Sequence, residues 1–171
     1  MSHFSQVQTV IRDQALLEEA LRQLQLEFQS GEEVTINGYQ GNTEQGVVVA
    51  KTGCRYDIGF QRQEDGSFAV CADWWGIEFN TTMKQETFMQ TLNRTYAHLA
   101  VKKQVLEQGL IIEEEKILPN GEIELVVTGD VGPRIMRCAF VGGQNLFMEF
   151  KDQLGGRGER EFQLRGGHRL W

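Results

Sequence analysis

The chain has 171 residues, 40% hydrophobic and 24% charged, values that fit a globular protein of ordinary domain size and exclude disorder along its whole length. Its net charge of −7 argues against a general nucleic-acid-binding role, which needs cations to neutralise phosphates. Three cysteines without a CxxC pair suggest neither a disulfide framework nor a structural zinc site, and point to reduced thiols in a cytosol-like compartment.

The opening MSHFSQVQTVIRDQ lacks an apolar signal core, and no run of 18 apolar residues follows, so a soluble protein without membrane spans is expected. His3 to Val10 has strand-like content. Asp13 is a natural N-cap for a helix to about Gln25, because Leu16, Leu17, Ala20, Leu21 and Leu24 recur at three- and four-residue steps. Glu33 to Asn37 and Val47 to Lys51 read as strands joined by GYQGNTEQG.

Cys54 to Trp75 reads as the central hairpin, turning at Asp65-Gly66. A two-residue turn sets Phe60 opposite Cys71, Ile58 opposite Asp73 and Tyr56 opposite Trp75. Tyr56, Ile58, Phe60, Ala69, Cys71 and Trp75 then share the core face, with Phe68, Val70 and Trp74 on the other. Thr82 to Gln85 forms a capping-box pattern ahead of a helix to about Gln108, with Phe88, Leu92, Tyr96 and Leu99 as its buried stripe. Leu110 to Ile112 and Ile123 to Val127 make a second hairpin about LPNG, with a type I turn at Pro119-Asn120 and a bulge at Gly121. Glu113, Glu114 and Glu115 read as a solvated edge.

Beyond Val127 the chain turns glycine-rich and its charge reverses: residues 1–127 carry −9 and residues 128–171 carry +2. Two domains are therefore expected, an α+β domain over 1–128 and a C-terminal extension over 129–171. The extension should hold a short helix at about 145–154 and a flexible tail from about 155. The fold expected of the whole is α+β, a largely antiparallel sheet of about five to seven strands with two main helices packed on one face.

Tyr39, Tyr56, Asp57, Asp73, Trp74 and Trp75 form the candidate binding surface, since they fall at strand ends and in a Gly-rich loop. The bland reading of the same residues is that the aromatics fill the core and Asp73 caps a turn. Arg157, Arg160, Arg165 and Arg169 are candidate tail contacts for an anionic partner or RNA. His3, His98 and His168 lack metal-ligand spacing, and there is no GxxxxGK[ST] or GxGxxG loop, so neither a metal nor a cofactor is expected. Cys71 reads as a small core hydrophobe. Cys138, beside Arg134 and Arg137, has a redox role as its less favoured reading.

Several stretches together resemble one family. They are MSHFS, the TxIxD of Thr9, Ile11 and Asp13, Gly38-Tyr39 with Gly41 and Thr43, and YDIGF at Tyr56 to Phe60. Ala72-Asp73 before the aromatic pair, Tyr96-Ala97, Gln108-Gly109 and NGEIELVV complete the set. Over residues 1–127 the chain resembles the conserved chloroplast open reading frame thirty-five family of cyanobacteria and algal plastids, a domain of unknown function. The extension, through PNGEIELVVTG, Cys138 and FKDQLGG, is similar to a second small uncharacterised family. Such families occur in bacterial neighbourhoods with an AAA-type ATPase and a ferredoxin-like protein, which implies a protein partner of that kind and no catalytic residue.

With no nucleophile–base set, metal cluster or phosphate loop in view, the leading expectation is a non-enzymatic accessory or adaptor protein. It would act by protein–protein contact in the bacterial cytosol or plastid stroma. The alternative is a small-ligand binder or enzyme using the aromatic–acidic surface around Tyr56, Asp73 and Trp74. Nucleic-acid binding through the tail comes third.

Overall fold

The computed structural model describes residues 3–120, 122–129, 132–141, 145–152 and 157–163. It is α+β, with two antiparallel five-stranded sheets in place of the single sheet expected. The chain divides into two compact units, Met1–Thr95 and Tyr96–Trp171. The boundary expected near Gly129 falls inside a hairpin, where Gly129 pairs with Gly132.

The first unit holds β1 (Ser5–Gln8), α1 (Gln14–Gln23), β2 (Phe28–Asn37), β3 (Thr43–Lys51), β4 (Asp57–Arg62), β5 (Phe68–Ala72) and α2 (Trp74–Asn80). Its strands lie in the order β1-β5-β4-β3-β2. Asp13 caps α1 as expected, its Oδ1 accepting from the Leu16 amide at 3.1 Å. Leu17, Ala20 and Leu21, the apolar stripe of this helix, are fully buried.

The central hairpin is present, but its register differs from the expected one by one residue. Phe60 pairs with Val70, Ile58 with Ala72 and Gly59 with Cys71. The cause is the loop, which has three residues and not two. The Gly66 amide donates to Gln63 O, the Gln63 amide donates to Ser67 O, and Gly66 takes the left-handed conformation at φ 84°. Asp65 Oδ1 accepts from both the amide and hydroxyl of Ser67, tightening the turn. A one-residue shift exchanges faces on one strand. Ile58 and Phe60 thus share a face with Phe68, Val70 and Ala72, and with Val48 and Ala50 of β3, all fully buried. Each large side chain hidden in this way contributes roughly 1.5–3 kcal/mol. On the opposite face Ile36, Val49 and Cys71 make a smaller cluster with Phe4 and Val34.

The helix α3 (Gln85–Glu107) runs from the first unit into the second. Thr82 does not close the expected capping box; Glu78 Oε1 accepts from the Gln85 amide at 2.9 Å instead. The helix ends as Gly109 suggests, with the Leu110 amide donating to Val105 O and the Gly109 amide to Leu106 O. In the second unit β6 (Ile111–Ile117), β7 (Ile123–Gly129), β8 (Gly132–Val141), β9 (Asn145–Asp152) and β10 (Arg157–Gln163) form the sheet β10-β9-β8-β7-β6. Ile123, Leu125 and Val127 alternate inward from β7.

The expected short helix at 145–154 is therefore a strand, paired on both sides by β8 and β10. Leu146, Met148 and Phe150 alternate along it, a period-two pattern that the flanking Phe147 disguises. The tail expected to be flexible from about 155 contains β10. The bulge expected at Gly121 lies outside the described residues, as do residues 164–171.

Candidate functional site

Two buried carboxylates hold one exposed loop. Asp57, at the start of β4, accepts on Oδ2 from the Asn37 amide (3.0 Å) and Asn37 Nδ2 (2.6 Å), and pairs through Oδ1 with Lys51 Nζ at 3.0 Å. Asp73, just beyond β5, is wholly buried. Its Oδ1 caps α2 through the Gly76 amide at 3.0 Å and its Oδ2 accepts from the Tyr39 amide at 3.1 Å. Asn37 ends β2 and Tyr39 lies just beyond it across Gly38, so both ties hold the β2 end of the loop. Its own bonds close it further, Gly38 N–H to Asn42 O (2.8 Å) and Asn42 N–H to Tyr39 O (3.0 Å), while Gln40 sits at φ 54°. A non-glycine residue in that conformation persists where its surroundings impose it.

This frame presents a shelf of aromatic rings. Trp75 is 59% exposed and Phe79, one helical turn on, is 78% exposed; their rings stack at 5.8 Å with planes 11° apart. Tyr39 meets Trp75 edge-on at 5.7 Å, and His3 meets Tyr39 at 5.0 Å and Trp75 at 5.7 Å.

The six residues expected to form one surface thus differ in burial. Tyr39 is half-buried and Trp75 exposed, while Tyr56, Asp57, Asp73 and Trp74 lie inside. Trp74 packs against Phe88 at 5.5 Å, and its Nε1 has no hydrogen-bond partner among the described residues. Asp73 caps a helix, in line with the bland reading. Tyr56, Asp73 and Trp74 are all buried, at 6%, 0% and 5% exposure. His3 and Phe79 join the shelf unforeseen. The i, i+4 spacing of Trp75 and Phe79 after a capping Asp is the one hint in the sequence, and a single repeat is too short to establish a helical period. Arg157 and Arg160 fall on β10, and Arg165 and Arg169 lie outside the described residues.

Elsewhere in the first unit, two open grooves lie away from the shelf. One, of about 230 Å³, is lined by Leu24, Leu26, Met83, Phe88 and neighbouring threonines; the other, of about 360 Å³, by Gln45, Gln61, Arg62, Gln63 and Glu32. Burial, with the Glu44 charge adding to it, pushes the Cys71 thiol up to about 11, which makes it inert as a nucleophile. In the second unit Glu115 departs from the solvated-edge reading. It lies 2.8 Å from both His98 Nε2 and Lys102 Nζ. Burial pushes the His98 imidazole below its ordinary value against the pull of Glu115. Burial alone would raise the Glu115 carboxyl, but Lys102 and His98 outweigh it and hold it low. Among the described residues no group of three or more His, Cys, Asp or Glu is placed to hold a metal ion, and no helix is long and apolar enough to cross a membrane.

Residues 20–126 match the family described as protein of unknown function DUF1257. The chain is 32% identical over 129 residues to the uncharacterized protein ycf35 of Cyanophora paradoxa, covering 74% of this chain and 96% of that protein. It is 27% identical to the ycf35 protein of Guillardia theta and 26% to that of Pyropia yezoensis, each over 133 residues with the same coverage. No solved structure matches the chain. The region matched carries the tied loop, the capping Asp73 and the two stacked rings of α2, and on this match the chain belongs to the DUF1257 family.

Proposed function

We propose that this protein is a non-enzymatic accessory or adaptor protein that works through protein–protein contact, with the Tyr39–Trp75–Phe79 shelf as its anchor. The observation that carries this reading is the pair of stacked, largely exposed rings on a helix whose cap also ties the neighbouring loop. Rigid aromatic side chains give large contact area at low entropic cost, which is why they dominate binding hot spots. Pinning the loop in advance removes an ordering cost that binding would otherwise meet.

An AAA-type ATPase is the first partner to try, following the resemblance of the C-terminal segment, and the plastid stroma or bacterial cytosol is the compartment proposed. The test is affinity purification of the tagged full chain from cyanobacterial cells, run in parallel with the double variant Trp75→Ala, Phe79→Ala. The reading expects one stoichiometric partner with the native chain and its loss with the variant. Recovery of the same proteins with both would overturn it.

A further inference from the structure

We propose that the Trp75–Phe79 shelf receives a basic, arginine-bearing segment of the partner protein, its guanidinium groups lying over the ring surface that the stack leaves exposed, most of it on Phe79. This rests on the shelf being the docking surface. Its ground is charge. The unit that carries the shelf, residues 1–95, has seven Lys/Arg against thirteen Asp/Glu. Four of its cations already face carboxylates, Arg12 with Asp65 at 3.6 Å, Arg22 with Glu19 at 3.1 Å, Lys51 with Asp57 at 3.0 Å and Lys84 with Glu78 at 3.7 Å. Glu78 lies on α2 between the two rings in sequence, and exposed Glu44 lies on the strand that leaves the Tyr39 loop. Glu78 is already met by Lys84 and the Gln85 amide, so the excess charge of the unit as a whole, with exposed Glu44 beside the loop, is what a wholly apolar partner would leave uncompensated.

Ring geometry favours the same occupant. Aromatic faces carry negative quadrupolar potential, and a planar guanidinium both stacks on them and satisfies it. The unit uses this contact within itself, Arg62 lying 4.5 Å from the Phe68 ring centre and Arg22 5.2 Å from that of Phe28. A proline-rich ligand needs slots between aromatic rings. Trp75 and Phe79 are stacked on each other at 5.8 Å, which leaves no slot between them.

The test uses the full chain and four labelled peptides, rich respectively in arginine, lysine, proline and glutamate, with binding read by fluorescence anisotropy at low and high salt. The arginine peptide should bind tightest, the lysine peptide several-fold weaker, and both more weakly in salt, as screened charges require. Trp75→Ala or Phe79→Ala should weaken the arginine peptide about tenfold or more, a loss expected of a hot-spot ring. Trp75→Phe should retain most of the binding, and Glu44→Gln should reduce it without altering the fold. Tighter binding of the proline or glutamate peptide, or arginine binding indifferent to Trp75, overturns the proposal. If the cellular partner requires Trp75 while no arginine peptide does, the partner chemistry is wrong and the docking surface stands. If neither requires Trp75, both fall.

Discussion

Replacing Asp73 with alanine removes two bonds that serve different elements, and the loss follows from the geometry. Without Oδ1 the Gly76 amide at the start of α2 loses its cap, a change that typically costs about 1 kcal/mol. Without Oδ2 the partly buried Tyr39 amide loses its acceptor, at a cost of roughly 1–3 kcal/mol for an unsatisfied donor. Together the first unit should lose about 2–4 kcal/mol. Asp73→Asn should fall between, since asparagine caps a helix as well as aspartate while its amide group leaves Tyr39 with a donor facing a donor. Urea denaturation followed by near-ultraviolet circular dichroism measures the loss, and hydrogen exchange at the Tyr39 and Gly76 amides locates it. A change below about 0.5 kcal/mol in Asp73→Ala, with both amides still protected, would refute the claim that this carboxylate joins the loop to the helix.

Gly59→Ala would place a methyl group where the fully buried Ile36 side chain already lies, and should cost about 1–3 kcal/mol. Ile36→Val in the same chain should recover part of that, so a double-mutant cycle should show coupling. Gly66→Ala strains a left-handed position and should cost about 1–2 kcal/mol in urea titrations, with Gly66→Asn milder. For His98, the folded imidazole has a depressed pKa, so the unfolded state binds the proton more readily. Stability should fall as pH drops below the unfolded value of about 6.5, and His98→Gln should flatten that slope in denaturation midpoints taken across the range. Glu115 adds a further loss at more acidic pH, because its depressed carboxyl must take up a proton as pH falls through its folded value.

Local signals in the sequence were reliable where a single residue type decides the geometry. Asp13 before a leucine stripe specified α1, and Gly109 marked the end of α3. The hairpin at Asp65-Gly66 was legible, yet its register was not, because Asp-Gly suits a two-residue turn and a three-residue loop with glycine left-handed alike. The burial pattern could have arbitrated, as the observed register sets the largest apolar residues together and leaves Gly59 opposite small Cys71. Helix α2 escaped notice since seven residues are too few to show a period, and the Trp74-Trp75 pair reads equally well as strand. That error carried into the site. Treating Asp73 to Trp75 as strand placed alternate residues on one face, whereas a helix turns Trp74 inward and brings Trp75 beside Phe79. Asp57 and Asp73 hold amides of the Tyr39 loop, a long-range pairing that no local pattern encodes.

Partner capture by the native chain and by the Trp75→Ala, Phe79→Ala variant, with urea midpoints of the two matched beforehand, tests the account at its centre. Equal folding with loss of a stoichiometric partner is the result it predicts. Undiminished capture by the folded variant would contradict it, and would leave the two rings as surface without a recognition role.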